Sequence, residues 1–172
     1  MKRCIVVLLL CAGCGSSNPA DSPEAPGPQV AMESIRMADF DAYVALMQRT
    51  FASIYVMIDE FTSISQGWVN ELVSEYWTRQ YTLNLLTRLR LVQEQARHIR
   101  PEEPHLRQVH AEYEQALAVY GEAYQLFLDQ VSFLDMDAID QINRKLAEGN
   151  VHLIRFQFQL SDLGGRDILF GR

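Results

Sequence analysis

Three stretches of this sequence place their apolar residues at spacings that alternate between four and three, and this pattern limits the fold more than any other feature. The first runs Phe40, Val44, Met47, Phe51, Ile54, Ile58 and Phe61. The second runs from Leu106 through His110, Tyr113, Leu117, Tyr120 and Tyr124 to Leu134, and the third from Ile139 through Ile142, Gly149, Leu153 and Phe156 to Leu163. A helix turns by about 100° per residue, so this alternation keeps one apolar seam facing a neighbour over many turns. A looser stripe (Val69, Val73, Trp77, Tyr81, Leu85, Leu89, Val92) lies between the first two. No run alternates with period two over the length of a strand.

Breaks fall where helix ends are expected. Gly67 separates the first two helices, and the Arg100–Pro104 segment, acidic at Glu102 and Glu103, leads into the third. Asp135 or Asp137 caps the fourth, and Gly164-Gly165 ends it. The spacing therefore predicts an all-α domain over residues 29–172. The expected architecture is an antiparallel up-down-up-down four-helix bundle of helices about 28 to 36 residues long, with short connections. Residues 66–100 carry five basic and three acidic groups and residues 101–134 one basic and six acidic, so helices two and three attract. The tail Ile168-Leu169-Phe170 is expected to cap the end of the bundle.

The 172 residues are 48% hydrophobic, enough for one core, and the net charge of −7 lacks the basic footprint that nucleic-acid binding needs. The only cysteines are Cys4, Cys11 and Cys14, so the helical domain has no thiol chemistry of its own. "CAGC" is followed by Gly15 rather than the His of a haem-attachment motif, and its flanks are not those of a thioredoxin-like site.

Its setting is instead a basic start (Lys2-Arg3), an apolar run (Ile5 to Leu10) too short to span a bilayer, and small residues before Cys14. Leu10-Cys11-Ala12-Gly13-Cys14 resembles the lipobox of bacterial lipoproteins, with Cys11 where that motif usually has Leu. The resemblance implies a signal peptide over residues 1–13 and a lipidated, membrane-anchored Cys14. Gly15, in place of the Asp associated with inner-membrane retention, points to the outer membrane. Residues 14–28 then form a Pro-rich tether, holding four of the six prolines and reaching roughly 40 Å. Loss of residues 1–13 removes two basic groups and no acid, giving a mature charge of 13 − 22 = −9. Pro104-His105-Leu106 through His110, Tyr113, Ala116 and Tyr120, with Asn143, Leu146, Ala147, Gly149 and Asn150, resembles helices of small uncharacterised bacterial lipoproteins. That resemblance implies no particular activity.

Candidate sites are few. The ExxH pair Glu102–His105 is interrupted by Pro104, and two such pairs would be needed for a di-iron bundle. No nucleophile, phosphate loop or cofactor motif is visible, so the expected role is non-enzymatic and cofactor-free. His110 is the histidine on an apolar seam. It is either a hydrogen-bonded core residue or, near the levels of Asp39, Glu94 and Asp162 and beside Glu114, a ligand for a divalent cation. His152 groups with Lys145, Glu148 and Arg155 on a polar, solvated face. Gly121 and Gly149 fall at one level within helices three and four. They either allow close packing around Tyr120 and Tyr124 or open a mid-bundle cavity for a small ligand. The arginines of helix two (Arg79, Arg88, Arg90, Arg97, Arg100) read as a solvated, ion-paired face, and the aromatic residues as core. Together these features describe a lipid-anchored, extracytoplasmic structural or partner-binding lipoprotein, with a small-ligand or metal carrier as the alternative. The membrane is reached through the lipid anchor.

Overall fold

A computed structural model describes residues 37–133 and 135–170, with side chains from Phe40 onward. It has four helices: α1 (Met37–Val69), α2 (Glu75–His98), α3 (Pro104–Gln130) and α4 (Met136–Gly164). Among the described residues there is no strand, and no helix is long and apolar enough to cross a membrane. The lipobox, Cys14 and the tether lie outside the described residues.

The helix ends follow local chemistry. Pro104 opens α3, where a missing N–H costs nothing, and the Glu103 carboxylate accepts the Leu106 N–H at 2.6 Å. Asp135 does the same for Ala138 at 2.8 Å and so caps α4. Gly165 closes α4 in the left-handed region, at φ 58°. At the first break the structure departs from expectation. Gly67 lies inside α1, and the chain turns at Asn70–Ser74. The missing Cβ of Gly67 is used for contact: an added methyl would sit 2.8 Å from Val73, which folds back over it. At 24 and 27 residues, α2 and α3 are also shorter than the sequence pattern suggested.

Aromatic rings form the centre of the core. Phe51 of α1 stacks on Tyr113 of α3 at 5.6 Å, on Phe156 of α4 at 5.4 Å and on Phe170 of the tail at 4.5 Å. The tail thus enters the core with Ile168 and Phe170 and leaves Leu169 in solvent. A second layer joins Phe61 to Tyr124 at 4.2 Å and to Phe127 at 5.2 Å. Helices α3 and α4 form the most extensive pair. Along it, Glu112 meets His152, Tyr120 meets Asn150 and Glu122 meets Lys145, so partner numbers fall as those of α3 rise. His152 is therefore not a solvated residue: its Nδ1 lies 2.7 Å from the Glu112 carboxylate and the pair is largely covered. The ion pairs between elements link α1 to α2 (Glu60–Arg88), α3 to α4, and α1 to the tail (Asp41–Arg166). Between α2 and α3 the polar links are hydrogen bonds, among them those from Arg79 to the Leu128 carbonyl, from Gln93 to the Leu117 carbonyl and from His110 to the Ala96 carbonyl.

Candidate functional site

The sequence singled out two places inside the helices. At the first, the α3 seam carries His110 into the core, where its ring joins three helices. Nε2–H donates to the Ala96 carbonyl at 2.9 Å, in the last turn of α2, where that carbonyl also accepts the Ile99 N–H of the cap. Nδ1 accepts the Tyr43 hydroxyl of α1 at 2.8 Å. With both nitrogens engaged in this neutral form, the ring has no lone pair left for a cation. Glu114 is half-buried on the next turn of α3, and its charge adds to the burial that pushes the Tyr43 hydroxyl pKa upward. Glu94 and Asp162 are exposed, and the Asp39 side chain lies outside the description. Among the described residues no three His, Cys, Asp or Glu side chains gather as a metal-holding group.

At the second place, the two glycines serve different neighbours. A Cβ on Gly149 would lie 3.1 Å from the Tyr120 ring, so the space opposite Gly149 is filled by that ring, whose hydroxyl donates to Asn150 at 2.7 Å. Gly121 faces α2 instead, with Gln93 Nε2 3.2 Å from its would-be Cβ and Leu89 beyond. It borders an open groove of about 620 Å³ lined by Leu89, Gln93, Gln125, Gln141 and Lys145.

A third place, which the sequence reading assigned to the core, lies at the end of the bundle. In the first turns of α2 the residues turned inward are Thr78 and Thr82, both fully buried. Each donates its hydroxyl to the carbonyl four residues back, at 3.0 and 2.8 Å, so burial leaves no polar atom stranded. Tyr76, Trp77 and Tyr81 are consequently turned outward, each more than half exposed, with Trp77 5.3 Å from Tyr76 and 6.2 Å from Tyr81.

Two turns add to this surface. In the α1–α2 turn, Glu71 takes the left-handed conformation at φ 59°, rare for a residue of its kind. The N–H groups of Leu72 and Val73 both reach the Gly67 carbonyl, at 2.8 and 3.2 Å. Val73 folds inward while Leu72 stands 80% exposed. The α3–α4 turn lies alongside, because Ser132 bonds both Arg79 and Glu75 of α2. Its Phe133 is 85% exposed and the adjoining Met136 is also exposed. Monomeric proteins seldom leave such clusters uncovered, and those they do leave are commonly binding surfaces. Comparison of the chain with protein-family models, with curated proteins and with solved structures returns no match.

Proposed function

We propose that this protein is a lipid-anchored lipoprotein of the bacterial cell envelope, held by Cys14 in the outer membrane, with a non-enzymatic partner-binding role. Its four helices run antiparallel, up-down-up-down, after the Pro-rich tether of residues 14–28. The falling order of α3–α4 partners supports that arrangement, as does the rising order on α1 and α3, where Tyr43 meets His110, Phe51 meets Tyr113 and Phe61 meets Tyr124.

One observation carries the binding role. Among the described residues, four of the five exposed aromatic side chains, Tyr76, Trp77, Tyr81 and Phe133, lie at or beside the α1–α2 and α3–α4 turns together with the exposed Leu72 and Met136, at the end of α1 away from its first residue. In an up-down bundle α1 alone would place that surface about 50 Å from its own first residue, at 1.5 Å per residue. A surface so placed faces away from the anchoring bilayer and is open to a partner.

Cell fractionation tests the anchor and crosslinking tests the role. Cys14→Ala is expected to leave the membrane fraction after a salt wash. A photoreactive residue at Tyr76 or Phe133 is expected to form a protein adduct in intact cells, and one at Glu148 on the outer face of α4 is expected not to. A membrane-bound Cys14→Ala protein overturns the anchor. Absence of adducts at the two turn positions overturns the role.

A further inference from the structure

We propose that this end of the bundle docks a cationic amphipathic segment of a partner protein, an inference that rests on the partner-binding role above. The apolar part of the surface is Leu72, Tyr76, Trp77, Tyr81, Phe133 and Met136. Its surroundings carry one sign of charge. Residues 70–81 and 129–140 contain six acids, Glu71, Glu75, Asp129, Asp135, Asp137 and Asp140, and one basic residue, Arg79. The guanidinium of Arg79 is committed to Glu75, the Leu128 carbonyl and Ser132, so Arg79 and Glu75 offset each other and the other five acids leave these surroundings with a net charge of 1 − 6 = −5. An apolar centre with an acidic border selects a ligand with the reverse pattern, apolar anchors flanked by Lys or Arg.

The same charge disfavours the other occupants. A second copy meeting this one about a two-fold axis would bring acidic border against acidic border. An anionic bilayer surface would meet a net negative cap. The turns are also built to hold their anchors in place. Leu72 rides on a turn fixed by two hydrogen bonds to Gly67 and by Val73 over that glycine. Phe133 follows Ser132, which is tied to α2. Anchors held in the bound geometry lose little freedom on docking.

The test uses the full-length chain carrying Cys14→Ala and a labelled leucine–lysine peptide about four helical turns long, patterned as an amphipathic helix. Fluorescence anisotropy is expected to show binding that weakens as salt rises. Leu72→Ser combined with Phe133→Ser should weaken it by about tenfold or more, a size expected for loss of two anchors. Both positions are at least 80% exposed, so helicity by circular dichroism should not change. Ile154→Ser with Phe158→Ser, which alters the exposed stripe on α4, should leave affinity within about twofold. A leucine–glutamate peptide that binds equally tightly overturns the proposal, as does equal loss in the two double variants. So does a dimer in sedimentation that Leu72→Ser with Phe133→Ser dissolves, or vesicle binding lost in that variant. If the cellular adducts at Tyr76 and Phe133 map to an acidic or uncharged partner segment, this inference falls while the partner-binding role stands.

Discussion

Two aromatic pairs stand four residues apart on neighbouring helices and have opposite fates. Tyr120 and Tyr124 of α3 are buried to within 1% of their surface, whereas Trp77 and Tyr81 of α2 are more than half exposed. The difference lies in what continues each stripe. On α3 the series runs 113, 117, 120, 124, 127, alternating four and three and so staying on one face. On α2 the series 77, 81, 85, 89 advances by fours, and each step rotates about 40° around the helix. The series that stays in place on α2 is Thr78, Thr82, Leu85, Leu89, Val92 and Ala96. Register therefore outranks hydrophobicity, provided the inward polar groups find local partners.

The buried half of this comparison can be broken most completely with alkali. Burial, by stripping water from the phenolate, is the largest cause raising the pKa of Tyr43, Tyr113, Tyr120 and Tyr124, with Tyr113 pushed up to about 12. Unfolded tyrosine ionises near pH 10. The folded state thus favours the neutral rings, a contribution complete below pH ~10 and lost as pH rises through about 12 and beyond. Helical circular dichroism should collapse cooperatively over that rise, as the tyrosinate absorbance of these four rings appears. If all seven tyrosines ionise while the helices persist, the four are not buried.

Truncation gives the next largest contrast. Tyr124 stacks on Phe61 and donates to the Met57 carbonyl at 3.3 Å, so Tyr124→Ala should cost ~3–5 kcal/mol. Trp77→Ala should cost no more than ~0.5 kcal/mol, although Trp is the larger residue. Similar costs in urea melts would erase the distinction between the two pairs.

The same principle separates what could be read in the sequence from what could not. The α3 and α4 seams, the Asp135 cap and the Gly165 stop were legible because each is fixed by neighbours close in sequence. The fate of α2's first turns was harder to read, since the rings of Trp77 and Tyr81 carry far more apolar surface to bury than the side chains of Thr78 and Thr82. The drifting four-four-four spacing was nonetheless present as a signal. Leu72, Phe133 and Met136 gave no sequence signal, because loops and helix starts have no periodicity to violate. Gly121 and Gly149 were placed at one level by counting residues, but counting does not say that Gly121 faces α2 and Gly149 faces Tyr120. His110 was visible as a seam residue. Its partners were not, because Tyr43 and the Ala96 carbonyl come from two other helices.

His110 tests whether an inward polar group on α3 depends on its partners as the α2 threonines do. His110→Leu keeps the bulk but removes the acceptor of the Tyr43 hydroxyl and a donor to the Ala96 carbonyl. The carbonyl retains the Ile99 N–H at 3.0 Å, and Tyr43 is 6% exposed, so the phenol carries most of the penalty. A loss of ~1–3 kcal/mol is expected, and pairing the change with Tyr43→Phe should recover much of it. No loss in the single variant would show that the three-helix junction contributes nothing to stability.

The smallest effect concerns Tyr113, where the rule that buried polar groups find local partners is broken. Its ring lies wholly inside the core between Phe51 and Phe156, yet among the described residues its hydroxyl has no hydrogen-bond partner. Thr50 is the neighbour whose hydroxyl opposes the rise in its pKa, but that hydroxyl donates to the Met47 carbonyl at 3.0 Å. A buried oxygen without a partner costs the folded state the hydration it had in the unfolded chain. Tyr113→Phe removes that oxygen and leaves the ring stacking intact, so it should stabilise the protein by ~1 kcal/mol. Tyr120→Phe is the matched control. Its hydroxyl donates to Asn150, and deletion should instead cost ~1 kcal/mol. Thermal melts of the two variants should move in opposite directions from the native chain. A fall in both would mean that the Tyr113 oxygen has a partner after all, most simply an ordered water between it and Thr50.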